Sequence, residues 1–208
     1  PSYTQAQFID DDISTVYRRS GWKQIVAKDT FMHHVGSVTL GDTSDVMNCN
    51  AFANMRKVYF DKWGVDAWES IGYLPYFDRI WDMCDKTSED KVLWIDPLFC
   101  CDVLELKNIY KKENKDLVLL KAIVTNPKYK NDAEVYFPSV LVDKDIEYVL
   151  ESDDESYSII TMSRYINEIV NGRLLQTLIT LYNHLLHGGY LIIPIRNFSS
   201  ARDICNFI

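Results

Sequence analysis

A chain of 208 residues, 47% hydrophobic and 25% charged, suits one large domain or one domain with an appendage. The net charge is −8, with 8 Lys+Arg against 12 Asp+Glu in residues 1–85 and 14 against 18 in residues 86–208, so neither half offers the basic surface that nucleic acid or an anionic membrane needs. No apolar stretch reaches the ~18 residues of a membrane span and no signal peptide is visible, while the five cysteines show no CxxC spacing and fit reduced thiols in a cytoplasmic protein.

In chain order, the acidic run Asp10-Asp11-Asp12 opens a short helix over 11–20. Trp22–Ala27 reads as a short strand and Phe31–Val35 as an extended segment, followed by a loop bounded by Gly36 and Gly41. Asp45–Trp63 carries a long helical pattern through Met47, Phe52, Met55, Val58 and Tyr59, with Gly64 as its C-cap. Residues 73–86 form a second amphipathic helix, with Tyr73, Phe77, Ile80, Trp81 and Cys84 on one face and Pro75 in its first turn.

Strands and helices then alternate. Lys91–Ile95 is a buried strand, Cys101–Lys112 a helix and Leu117–Val124 a strand. Glu134–Phe137 reads as a short strand or a loop, Ile146–Leu150 as a weak segment and Tyr157–Met162 as a strand. Asn167–Leu186 reads as one long helix, stopped by Gly188-Gly189 ahead of an apolar strand over Tyr190–Ile195. This order implies βαβ units: an α/β protein with a mainly parallel, Rossmann-like sheet flanked by helices, and a mostly helical N-terminal appendage. The expected boundary lies between residues 67 and 68.

Within residues 73–196 the order of elements resembles a class I S-adenosylmethionine-dependent methyltransferase. Leu185-Leu186-His187-Gly188-Gly189-Tyr190-Leu191-Ile192-Ile193 is similar to that family's fifth strand and its approach, and Tyr157–Met162 to its fourth. The chemistry departs from the pattern. The family's first-strand acid falls on Trp94 and its three glycines on Asp96, Leu98 and Cys100. The acid that holds the cofactor ribose falls near Val124, beside Thr125 and Asn126. A backbone that must approach a ligand needs glycine at such a turn. Asp96 or Asp102 would have to substitute, and S-adenosylmethionine is not expected to bind.

The stretch Ile9-Asp10-Asp11-Asp12-Ile13-Ser14, followed by Arg18-Arg19-Ser20-Gly21-Trp22, resembles the C-terminal part of family-2, GT-A-type glycosyltransferases. The pattern continues through Val26–Ser37 and closes with Phe60-Asp61-Lys62-Trp63-Gly64. The resemblance implies inverting transfer from a nucleotide sugar, with Asp11 as the base that takes the acceptor proton and Asp10 and Asp12 as neighbours that raise its pKa. His34 matches a residue near the metal-diphosphate, so Mn²⁺ or Mg²⁺ is implied for the intact protein. The donor-binding strands and a metal-binding Asp-x-Asp are expected upstream. The first residue is Pro1 rather than Met, which reads as a piece of a longer chain.

Plainer readings stand beside these. Asp10–Asp12 at a helix N-terminus also suits the dipole. His184 and His187, at i, i+3 near a helix end, suit C-terminal charge complementarity better than a metal site. Three functions remain open: a sugar-transfer protein, a methyltransferase acting on a glycan or small metabolite, and a non-catalytic interaction module with an exposed apolar patch.

Overall fold

The computed structural model describes residues 8–22, 24, 25, 27, 29–33, 46–71, 77–170 and 172–195. Contacts divide the chain into two units, Pro1–Ser70 and Ile71–Ile208.

In the first unit, helix α1 spans Ile9–Arg19 and α2 spans Val46–Trp63. Asp10, Asp11 and Asp12 occupy the first turn of α1, with Arg18 and Arg19 in its last, the arrangement a helix dipole favours. Phe8, Met55, Tyr59 and Ala67 form a small buried core, edged by Phe52, Val58 and Trp63. The Thr15 and Tyr59 hydroxyls meet at 2.6 Å inside it. No strand forms over Trp22–Ala27 among the described residues. Gly21, at φ 81°, turns the chain back along α1 instead. There the Trp22 amide donates to the Tyr17 carbonyl and the Gln24 side chain to the Ser14 carbonyl. A lone strand without a partner has no ladder to stabilise it. Phe31–His33 have no regular structure, and Val35 lies outside the described residues.

The second unit begins its described part with α3 (Phe77–Asp82) and continues β1 (Asp90–Ile95), α4 (Cys101–Lys112) and β2 (Leu117–Val124). A 3-10 turn over Pro127–Tyr129 leads into α5 (Lys130–Ala133), then β3 (Ser139–Val142) and α6 (Ile146–Glu151). The remaining elements are β4 (Tyr157–Met162), α7 (Ile166–Ile169), α8 (Leu174–Asn183) and β5 (Leu185–Ile192). All five strands are parallel, in the order β3-β2-β1-β4-β5. This is an α/β, Rossmann-like sheet flanked by helices. Val92 and Trp94 face one core with Leu106, Tyr110 and Ile159, while Leu93 and Ile95 face the other with Ile146, Tyr157, Ile160 and Leu181. Burial on both faces explains why β1, β4 and the carboxyl end of β2 are near-continuous apolar runs.

Three further expectations are corrected, and one segment left open, Ile146–Leu150, is settled. Glu134–Phe137 is neither strand nor open loop: the Tyr136 and Phe137 amides both donate to the Ala133 carbonyl, Phe137 is buried, and the strand forms after it at Ser139–Val142. Ile146–Leu150 is helical, capped by the Asp145 carboxylate accepting from the Tyr148 amide. The long helix over 167–186 is two helices, broken around Gly172 at φ 76°. Nor does Gly188-Gly189 stop a helix. It lies inside β5 as a bulge, since the pairing Tyr157↔Leu185 becomes Ile159↔Tyr190 beyond it. A Cβ on Gly189 would stand 2.7 Å from the Ser158 carbonyl oxygen, so the close strand approach requires glycine.

Candidate functional site

Open parallel sheets bind ligands beyond the carboxyl ends of their strands, where the strand order reverses. Here that place lies between β1 and β4. The chain leaves β1 through Asp96, Pro97, Leu98, Phe99 and Cys100 before entering α4. Asp96, Leu98 and Cys100, the three positions where the methyltransferase resemblance expects glycine, all adopt left-handed backbone, at φ 47°, 52° and 62°. The conformation of a glycine turn is therefore kept without the glycines. Each L-residue in this region costs roughly 1–2 kcal/mol, less for Asp than for Leu or Cys.

The side chains explain how the turn tolerates that. Leu98, Phe99 and Cys100 are buried and help form the core. The Asp96 carboxylate, 1% exposed, points across the sheet end and accepts from the Thr125 amide (2.6 Å), the Thr125 hydroxyl (2.6 Å) and Arg164 Nη1 (3.2 Å). Trp94, at the position of the family's first acid, donates its Nε1–H to the Ser163 hydroxyl at 2.9 Å. Thr125, beside the position of the ribose-binding acid, gives both its donors to Asp96. Asp102 lies fully buried in the first turn of α4. Neither Asp96 nor Asp102 thus presents a carboxylate to solvent, and the residues of this turn do not fit an adenosyl cofactor: buried side chains stand at Leu98 and Cys100 where its glycines would be, and the Asp96 carboxylate is taken by Thr125 and Arg164.

A second cluster lies in the first unit. The Asp12 carboxylate accepts from Lys62 Nζ at 2.7 and 2.8 Å and from Trp63 Nε1 at 2.6 Å. Lys62 and Arg19 both place their cations over the Trp63 ring, at 4.9 and 5.1 Å. The acidic run and the Phe60–Gly64 motif, 50 residues apart in sequence, thus meet side by side. Asp10 is exposed. No described residue hydrogen-bonds to the half-buried Asp11 carboxylate, and burial, followed by the charge of Asp10, pushes its pKa above the ordinary carboxylate value. His34 lies outside the described residues. Among the described residues no three His, Cys, Asp or Glu side chains converge.

Sequence reasoning passed over Arg164 and Ser163, although both directly follow an apolar strand and so stand at the carboxyl edge of the sheet. The histidine near the helix end is structural: the His184 ring nitrogens face the carbonyls of Thr180, Leu150 and Asp153 at 2.9–3.1 Å and tie the end of α8 to the end of α6 and the loop that follows it.

Comparison with protein families gives no match, and comparison with curated proteins gives none either. Among solved structures, the chain is similar to the crystal structure of precorrin 8W decarboxylase from Methanobacterium thermoautotrophicum. The match has 15% identity, covers 64% of this chain and 71% of that one, and has a TM-score of 0.44. A likeness of that grade carries no argument about chemistry.

Proposed function

We propose that residues 1–70 are the acceptor-side end of a GT-A-like sugar-transfer domain, with Asp11 as the general base. The observation that carries this reading is the tie of Asp12 to Lys62 and Trp63. It joins two sub-motifs of the resemblance through side-chain bonds, while Asp11 is the half-buried carboxylate of the run that no described residue hydrogen-bonds, Asp10 being exposed. Asp12 fixes the helix turn, and Asp11 takes the proton from an acceptor hydroxyl as the hydroxyl oxygen bonds to the anomeric carbon and the bond from that carbon to the nucleoside diphosphate breaks, the diphosphate leaving with the electron pair. A raised pKa suits that work, because a stronger base accepts a proton more readily. The donor nucleotide and any divalent cation belong to the upstream part of the parent chain.

The filled turn Asp96–Cys100 favours a second reading for residues 71–208, a non-catalytic module rather than a methyltransferase. The test of the first reading is transfer by the full-length parent with Asp11→Asn. Loss of about 10²–10⁴-fold in kcat with retained donor binding is the expected result. Unchanged transfer would overturn the assignment of Asp11.

A further inference from the structure

His184 is the C-cap residue of α8, and its side chain is partly buried. Among the described residues, each hydrogen-bond partner of its ring is a backbone carbonyl. Nδ1 stands 2.9 Å from the Thr180 carbonyl, one turn back on the same helix. Nε2 stands 3.0 Å from the Leu150 carbonyl near the end of α6 and 3.1 Å from the Asp153 carbonyl on the loop ahead of β4. A carbonyl oxygen can only accept. Neutral imidazole has one N–H and one bare nitrogen, so it serves one side of this arrangement and sets a lone pair against a carbonyl on the other. The imidazolium alone has a donor for each side. The helix end favours the same form, because its last carbonyls carry partial negative charge. The backbone of His184 is held as well: its amide donates to the Leu181 carbonyl, and its carbonyl accepts from the Tyr157 amide at 2.8 Å.

We propose that His184 is a proton-operated latch: as an imidazolium it ties α8 to the loop between α6 and β4, and on losing its proton it releases one side. The titratable groups nearby do not share the switch. Glu151 ends α6, Asp153, Asp154 and Glu155 follow on the loop, Lys121 and Tyr157 come from β2 and β4, and the exposed His187 lies on β5. The Asp153 carboxylate accepts from Lys121 Nζ at 2.7 Å and from the Tyr157 hydroxyl at 2.6 Å, and Glu155 pairs with Lys91 at 3.4 Å. None of these side chains hydrogen-bonds the ring. Burial, then the bond to Asp153, lifts the Tyr157 hydroxyl well above its ordinary value. Burial also raises the Asp153 carboxyl, but Lys121, the Tyr157 hydroxyl and the Glu155 amide outweigh it and hold it below its own. Neither group changes charge between about pH 5.5 and about pH 8.5, the range that brackets an ordinary histidine. The latch needs the proton, so its contribution is present at low pH and disappears as pH rises through that range. The proposal stands whether or not either functional reading holds.

The experiment is hydrogen exchange of the 208-residue chain, followed by nuclear magnetic resonance at about pH 5.5 and about pH 8.5. Rates are expressed as protection factors, which remove the intrinsic pH dependence of exchange. The reporters are the Asp153 amide, which donates to the Leu150 carbonyl at 3.0 Å, and the Tyr157 amide, which donates to the His184 carbonyl. Both are expected to lose about tenfold in protection at the higher pH, the effect of one hydrogen bond. His184→Gln keeps an amide donor whose charge never changes, so its reporters are equally protected at both pH values. Equal protection in the parent would overturn the proposal, and so would a loss that the glutamine variant shares. A second readout needs no variant. At about pH 5.5 both ring N–H hydrogens of His184 should exchange with water more slowly than those of the exposed His187. One slow ring hydrogen, or none, would contradict the latch.

Discussion

Replacing Asp96 by Ala removes the acceptor that holds the ends of β1, β2 and β4 together. Two of its three hydrogen bonds come from Thr125, and each bond to a charged group is worth about 1.5–3 kcal/mol. The Arg164 contact adds less than about 1 kcal/mol, because that side chain is one-third exposed and water screens it. Alanine tolerates φ 47° less well than aspartate, which slightly enlarges the loss. The expected destabilisation of the sheet unit is about 3–5 kcal/mol, or about 10 °C in Tm for a chain of this size. Urea unfolding read by hydrogen exchange of the Val92–Ile95 amides isolates this unit from residues 1–70. Thr125→Val serves as a half-strength companion, since it keeps the amide donor. A cost below about 1 kcal/mol for Asp96→Ala would refute the idea that this carboxylate holds the turn in place.

Gly189→Ala forces a Cβ to within 2.7 Å of the Ser158 carbonyl, so β5 must shift; a loss of about 1–3 kcal/mol in urea unfolding is expected. Trp63→Phe removes the Nε1 donor to Asp12 and lowers the stability of the first unit by about 1–2 kcal/mol, read by the near-ultraviolet dichroism of its aromatic cluster. Burial pushes the Asp153 carboxyl up, but Lys121, the Tyr157 hydroxyl and the Glu155 amide outweigh it and hold the carboxyl below its ordinary value of 3.8. Its contribution is therefore complete above that value and disappears as pH falls through the lower folded one. Urea midpoints measured from pH 7 down to pH 2 should fall most steeply below about pH 4, and Asp153→Asn should flatten that fall.

The sheet was legible where burial on both faces dictates the residues. Lys91–Ile95 and Tyr157–Met162 are apolar runs because both of their faces are almost wholly buried, and Leu117–Val124 because its carboxyl half is, and their bounds follow within a residue. β3 was not legible, because four residues at an edge give too short a pattern beside Phe137-Pro138. The Gly-Gly pair misled for a physical reason: glycine serves a helix stop and a strand bulge equally well, and only the distance to the Ser158 carbonyl decides between them. At the turn after β1 the absence of glycine was plain in the sequence. That Asp96, Leu98 and Cys100 would keep the left-handed backbone was not, since it depends on Thr125 and Arg164 arriving from distant parts of the chain. In the first unit the motifs were legible one by one, but the bond from Trp63 to Asp12 required the fold.

The claim beneath the reading of residues 71–208 is that the turn after β1 is built as core and leaves no room for a nucleoside. Isothermal titration of the 208-residue chain with S-adenosylmethionine tests it directly. The account predicts no saturable heat at millimolar ligand. Saturation in the micromolar range, equivalent to about −8 kcal/mol, would contradict it.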